Sequence, residues 1–340
     1  LSCCVDGSVL VSLLWLVARV SPTEKIWFSP DDELVARSRP VPLADGFAVG
    51  VADGRAQFWS GGSTTSLAAE VRVGPKTTLP SVHLTSLHDG AYIAVTTADQ
   101  RISIVAPGDV APRRRLVGAR GHLGPLAAVG NTLWASAGAT VLAYEVPADA
   151  LSAPPAMTKS KSWLSLKNHP TSVQSLGVVG PGMVVSGDVD GGLCVWKRGE
   201  EDAVIYRAPK RGLPSGFAAI TSVAVAGGAV IVREGRAGFI VLDAATLGVI
   251  AKLPHKDAET VLARGDVVVT TGGKLVQAFR AGTWQVIGSR DRLGAGTQGY
   301  AWVAAANAIS FRDDAGYFGL LNAADFKTLA GRRFSDVVLA

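Results

Sequence analysis

Cysteine is almost missing from this chain: Cys3, Cys4 and Cys194 are the only three among 340 residues. Three thiols cannot build a framework of bridges, and an adjacent pair is badly placed to bridge itself. A disulfide-stapled secreted scaffold is therefore excluded, and a reducing, intracellular compartment is favoured. Charge is scarce too, at 18 % of residues against 48 % hydrophobic, which excludes an intrinsically disordered chain. Long hydrophobic runs are lacking. The most apolar stretch, Val9 to Val17, is interrupted by Ser12 and falls far short of the roughly 20 residues of a spanning helix, so no membrane insertion is expected. That stretch reads as a buried strand. The alternative, the remnant of a signal-peptide core, has no basic stretch before it and Arg19 close behind. The usual catalytic and metal signatures are missing as well. The five histidines, His83, His88, His122, His169 and His255, form no HExxH and pair with no CxxC, and no GxSxG elbow occurs.

What the chain has instead is a repeat. Eight times, about every 42 residues, an apolar run meets a tight polar turn and folds back into a second apolar run, a period in the range of propeller blades. Phe47–Val51, Ala52-Asp53-Gly54 and Arg55–Trp59 read as strand, turn and strand. Tyr92–Thr97 with Arg101–Val105 repeats the arrangement, and its β-branched residues suit a half-buried pleated surface. Thr132–Ser136 with Thr140–Val146, Val230–Arg233 with Gly238–Leu242, Val267–Thr270 with Leu275–Phe279, and Ala308–Phe311 with Tyr317–Leu321 continue it. The first unit, Ser8–Val20 with Lys25–Phe28, is the least regular. Several hairpins are followed by a further polar turn and a fourth apolar run, as in Asp243–Ile250 and Asn322–Leu329. A lone four-stranded sheet would leave both faces wet, so each must stack on its neighbours. The expectation is one all-β domain over 1–340, closed by a strand from Ser335–Ala340. Pro147–Ser162, Pro-rich and longer than a turn needs, reads as an exposed insertion.

The sharpest copy runs from His169-Pro170-Thr171-Ser172-Val173 to Val185-Ser186-Gly187-Asp188-Val189-Asp190-Gly191-Gly192-Leu193-Cys194-Val195-Trp196. It resembles the WD-repeat β-propeller family, most plainly over 168–200, less closely over 41–146, and only in architecture elsewhere. The resemblance implies a WD-repeat-like β-propeller of seven or eight four-stranded blades. It also implies that His169, Ser186, Asp190 and Trp196 form a hydrogen-bonded structural tetrad. Indole, hydroxyl and imidazole all need partners when buried, and a carboxylate can accept from the imidazole. No unit carries the family's Trp-Asp ending.

Three further signals have plainer readings. Gly294-Ala295-Gly296-Thr297-Gln298-Gly299 matches a dinucleotide fingerprint, but Tyr300–Ala304 behind it reads as a strand and no βαβ unit surrounds it. Asp188-Val189-Asp190-Gly191 imitates the start of a calcium loop, yet position twelve is Gly199 where the bidentate Glu belongs. Cys194 falls mid-strand, where a small hydrophobe is expected. No catalytic residue, cofactor or metal is implied. The net charge of +5 includes a candidate contact patch of Arg113, Arg114, Arg115 and Arg120 with Lys159 and Lys161.

The expected role is a non-catalytic protein-interaction scaffold, a propeller subunit whose partners are the other subunits of a large multiprotein complex. RNA contact within a ribonucleoprotein particle such as a ribosome is the first alternative, suggested by the basic balance. A propeller enzyme with an unidentified cofactor is the second. The cytoplasm is the expected compartment. The mitochondrion is the second choice, because the chain is basic and starts at Leu1.

Overall fold

A computed structural model describes residues 2–3, 9–12, 17–20, 26–28, 41–43, 46–50, 54–61, 65–74, 83–97, 100–116, 123–152, 164–166, 169–180, 182–197, 204–207, 219–233, 238–255, 260–272, 275–291, 298–303, 308–312, 317–322 and 328–333, some of them, Trp59 and Arg207 included, in backbone only. These residues form eight antiparallel sheets of four strands, each sheet built from four strands consecutive in the chain. The expected closing strand, Ser335–Ala340, lies outside the described residues. The chain divides into two compact units, Leu1–Lys167 and Asn168–Ala340, where the sequence reading has one domain.

In the first unit the opening strands of successive sheets, Ser2–Cys3, Val41–Leu43, Leu84–Leu87 and Leu123–Val129, each touch the next. The second unit repeats this with Val173–Gly180, Val223–Ala226, Thr260–Arg264 and Gln298–Val303. The fourth strand is then the opposite edge of every sheet. In the irregular first repeat, Val9–Ser12 and Val17–Val20 pair as a hairpin, so the most apolar stretch of the chain is strand at both ends. Gln298–Val303 is also a strand, so the residues after the glycine fingerprint open a sheet rather than a helix.

The middle strands explain the continuous apolar runs. Side chains alternate between the two faces of a strand, and here both faces are covered. Ile93 and Val95 pack on the second sheet with Val71 and Phe58, while Ala94, Ile102 and Ile104 pack on the fourth with Leu133 and Tyr144. In the second unit Val230, Val232 and Leu242 face the fifth sheet, while Ile231, Phe239 and Val241 face the seventh. Each large side chain sealed this way contributes roughly 1.5–3 kcal/mol relative to exposure. Such a double-sided strand has no polar face to reveal, so Tyr92–Thr96 and Thr132–Ala137 are buried almost throughout.

The Pro147–Ser162 insertion is not wholly exposed, which corrects the sequence reading. It starts with a short helix, Ala148–Ser152, whose Leu151 is fully buried among Leu87, Leu123 and Val146. The apolar side chain finds the cleft between the third and fourth sheets, and burial there outweighs the polar composition around it. Residues 153–162 lie outside the described set.

Candidate functional site

The fifth sheet carries the most connected polar group among the described residues. Its second strand, Met183–Asp188, and third, Gly192–Lys197, pack Val185, Leu193 and Val195 against the sixth sheet. Strand alternation therefore puts Ser186, Asp188 and Trp196 together on the other face. His169, four residues before the first strand of the sheet, joins them there. Its Nδ1 lies 2.8 Å from Asp188 Oδ2 and its Nε2 2.7 Å from Ser186 Oγ, and Trp196 Nε1 donates to the same Oγ at 2.8 Å.

The directions follow from chemistry. Indole N–H can only donate and an ionised carboxylate can only accept. Neutral His169 then donates from Nδ1 to Asp188 and accepts at Nε2 from the Ser186 hydroxyl, which itself accepts from Trp196. Every side-chain polar atom of these four residues is used. Burial pushes the Asp188 carboxyl up, but the hydrogen bonds from His169 and from the Gly192 and Asp190 amides outweigh it and hold the carboxyl below its usual range.

The acid of this set is Asp188, which corrects the expectation of Asp190. Asp188 ends the second strand two residues after Ser186, on the same face, whereas Asp190 lies in the turn beyond it. The Asp190 backbone N–H donates to Asp188 Oδ1 at 2.9 Å and Gly192 N–H at 2.6 Å. This is an Asx-type turn, in which a strand-end carboxylate organises the loop that follows it. It also accounts for the calcium-like spelling: both oxygens of Asp188 are already occupied by protein donors.

Serine, histidine and aspartate stand here in the order used by hydrolases, Oγ to Nε2 and Nδ1 to carboxylate. Their surroundings are different. Ser186 and Asp188 are 0 % exposed and His169 4 %, and the Trp196 indole holds the Ser186 oxygen. A substrate carbonyl has no approach to that oxygen, so the arrangement ties a hairpin to the segment that precedes it.

A reduced copy was not anticipated from sequence. His255 Nδ1 lies 2.7 Å from Thr270 Oγ1 in the seventh sheet, both side chains buried. Val268 pairs with Phe279 there as Val184 pairs with Trp196 in the fifth sheet, so an aromatic without an N–H takes the indole's place. The signal was present as a histidine before a first strand and a hydroxyl on the second, but without Trp and Asp it did not stand out.

The candidate basic patch fares differently. Arg113 is engaged within its own unit: its Nε donates to Asp109 at 2.9–3.0 Å, its Nη1 donates to the Leu151 carbonyl at 3.1 Å, and its guanidinium lies over the Tyr92 ring. The bond to Asp109 raises its pKa further. His88 Nε2 donates to the Val146 carbonyl at 2.8 Å, so two basic side chains hold the root of the insertion. Arg114 and Arg115 are half-buried neighbours on one strand and so face opposite sides of the sheet, which splits the run expected to act together. Arg120, Lys159 and Lys161 lie outside the described residues, as does His122. Among the described residues no cluster of His, Cys, Asp or Glu could hold a metal ion. Cys194 is a buried thiol on the Trp196 strand.

No family model and no curated protein matches the chain. Solved structures do. The WD40 β-propeller domain of Doa1 aligns with a TM-score of 0.58 at 12 % identity, over 81 % of this chain and 88 % of that one. The fold is a β-propeller. Two other structures align with this propeller over similar lengths. The computationally designed Ika8 protein has a TM-score of 0.68 at 18 % identity, covering 85 % of this chain and 84 % of its own. BamB from Moraxella catarrhalis has a TM-score of 0.61 at 14 % identity, covering 88 % and 86 %. Among the described residues, no helix of the propeller is long and apolar enough to cross a membrane.

Proposed function

We propose that this propeller is a non-catalytic protein-interaction platform, a WD-repeat-like subunit of a larger multiprotein assembly. The observation that carries this reading is the use made of the most reactive-looking group. Ser186, His169 and Asp188 are sealed and saturated by one another and by Trp196, so chemistry that would be catalytic in a cleft serves cohesion here. What the propeller offers to the outside is a set of rigid sheet edges and connecting loops, suited to many modest contacts rather than one pocket. The scarcity of cysteine and the buried Cys194 thiol support the cytoplasm as its compartment, with the mitochondrion second.

Purification of the native full-length chain, with mass spectrometry of what accompanies it, tests the reading. Stoichiometric protein partners are expected. A stoichiometric small-molecule cofactor, or RNA in place of protein, would overturn it in favour of the enzyme or the ribonucleoprotein role. Deleting 153–162, and so sparing the docked helix, should weaken partner recovery while leaving β-type circular dichroism unchanged. Undiminished recovery removes the insertion from the contact surface.

A further inference from the structure

The chain's positive charge is not spread evenly over its strands. The eight fourth strands, the edges opposite the touching first strands, hold eight Lys or Arg against two acidic residues, a surplus of six where the entire chain has a surplus of five. All remaining residues together therefore carry a slight negative balance.

On two neighbouring sheets of the second unit, whose fourth strands hold Lys252 and Arg290 against Asp291, this edge is also apolar. The fourth strands Val249–Leu253 and Val286–Asp291 expose Val249 by 54 %, Ile250 by 50 %, Val286 by 48 % and Ile287 by 38 %. The two pairs are presented by the same device. Each follows a turn with a non-glycine residue in the left-handed region, Leu247 at φ 56° and Trp284 at φ 57°, whose amide returns to the carbonyl of Asp243 or Arg280. Each isoleucine is then the extra residue of a β-bulge: Val241 pairs with Ala251 and Leu242 with Val249, while Ala278 pairs with Gly288 and Phe279 with Val286. A bulge re-aims its side chain and interrupts the edge ladder, and exposed Lys252 further blunts the edge against an added strand. Recognition at this edge therefore runs through side chains.

From this we infer that the Val-Ile pairs of the sixth and seventh sheets, with Lys252 on the strand of the first pair, form a docking surface for an acidic protein segment that carries aliphatic or aromatic side chains. Positive charge selects the carboxylates, and the four exposed aliphatic side chains select the apolar groups. Nucleic acid fits less well, because neither strand has an aromatic ring on which a base could stack. The inference rests on the platform reading above and names its partner class.

The test uses the full chain and a fluorescein-labelled synthetic peptide in which Glu alternates with Leu and Phe, alongside a Gln-for-Glu version and oligo(U) RNA. Anisotropy should show salt-sensitive binding of the acidic peptide. Binding should weaken about tenfold in the Ile250→Ser/Ile287→Ser double variant, since only half of each side chain is left to bury, and several-fold in Lys252→Glu. Both variants change exposed positions, and circular dichroism checks that they fold. Failure of the acidic peptide to bind, equal binding by wild type and double variant, or oligo(U) binding lost in the same variants would overturn the inference. So would a wild-type self-association that the variants abolish in sedimentation. If native partners still copurify with the double variant, this surface fails and the platform stands. If no protein copurifies with wild type, the platform itself fails.

Discussion

Replacing Asp188 by Asn separates the geometry described here from the one expected by resemblance. The carboxylate accepts from His169 Nδ1, from Asp190 N–H and from Gly192 N–H. An asparagine oxygen keeps the two amides, but its NH2 then faces the imidazole, and two donors would meet. His169 escapes by taking the other tautomer, accepting at Nδ1 and donating from Nε2 to Ser186. The Ser186 oxygen, already accepting from Trp196, would then leave its own proton without an acceptor in a fully buried site. Charge-assisted bonds become neutral ones at about 1 kcal/mol, and an orphaned buried hydroxyl adds about 1–3, so the expected loss is about 2–4 kcal/mol. Asp190→Asn should stay within about 0.5 kcal/mol. Urea unfolding followed by circular dichroism at several pH values measures both. The pH arm has a definite sign. The Asp188 pKa is lower folded than unfolded, so its contribution is present above the unfolded value, near 4, and is lost as pH falls through the folded one. The gap between wild type and Asp188→Asn should close in that window. Equal losses in the two variants, or a gap that acid leaves untouched, would refute the assignment.

Tyr144 is fully buried in the core of the first unit, its hydroxyl has no partner among the described residues, and burial pushes its pKa up to about 12. Tyr144→Phe should therefore be neutral or stabilising by about 1 kcal/mol, and a loss above about 2 would reveal a bond to that hydroxyl. In an alkaline absorbance titration one of the five tyrosines should ionise late, and this group's share of stability should fall as pH rises from about 10 through that value. Gly238 has φ 102°, and a Cβ there would lie 2.9 Å from the His255 carbonyl oxygen, so Gly238→Ala should cost about 2–4 kcal/mol in thermal or urea unfolding. At Gly228, φ 73° with open space around it, the same change should cost only about 1 kcal/mol. Similar losses at the two glycines would show that the carbonyl yields.

The repeat was legible because its cause is local. Doubly covered strands such as Ile102–Val105 must be apolar throughout, and tight turns such as that at Gly191 must be small and polar, so period and fold class can be read from residue order. His169, Ser186 and Trp196 were legible through the resemblance of 168–200 to a WD-repeat blade, to which the need of buried polar groups for partners gives a physical reason. The choice between Asp188 and Asp190 was not, since the two lie two residues apart at the end of one strand and only the strand's boundary tells which one shares a face with Ser186. The engagement of Arg113 and the burial of Leu151 were hidden for a related reason. One bond of Arg113 reaches the Leu151 carbonyl 38 residues on, and Leu151 is covered by residues as far back as Leu87; composition says nothing about such distances. Val249-Ile250 reads in sequence as an ordinary fourth strand, and only the bulges place Ile250 and Ile287 outside the ladder.

The covered serine also bears on how function is inferred from residue constellations. A search by interatomic spacing alone would flag residues 169, 186 and 188 as a hydrolase centre, and a fluorophosphonate probe that labels activated serines should nonetheless leave the native protein unmodified. Accessibility, more than spacing, separates a working nucleophile from a fastening, and a propeller can hold the former's atoms in the latter's service.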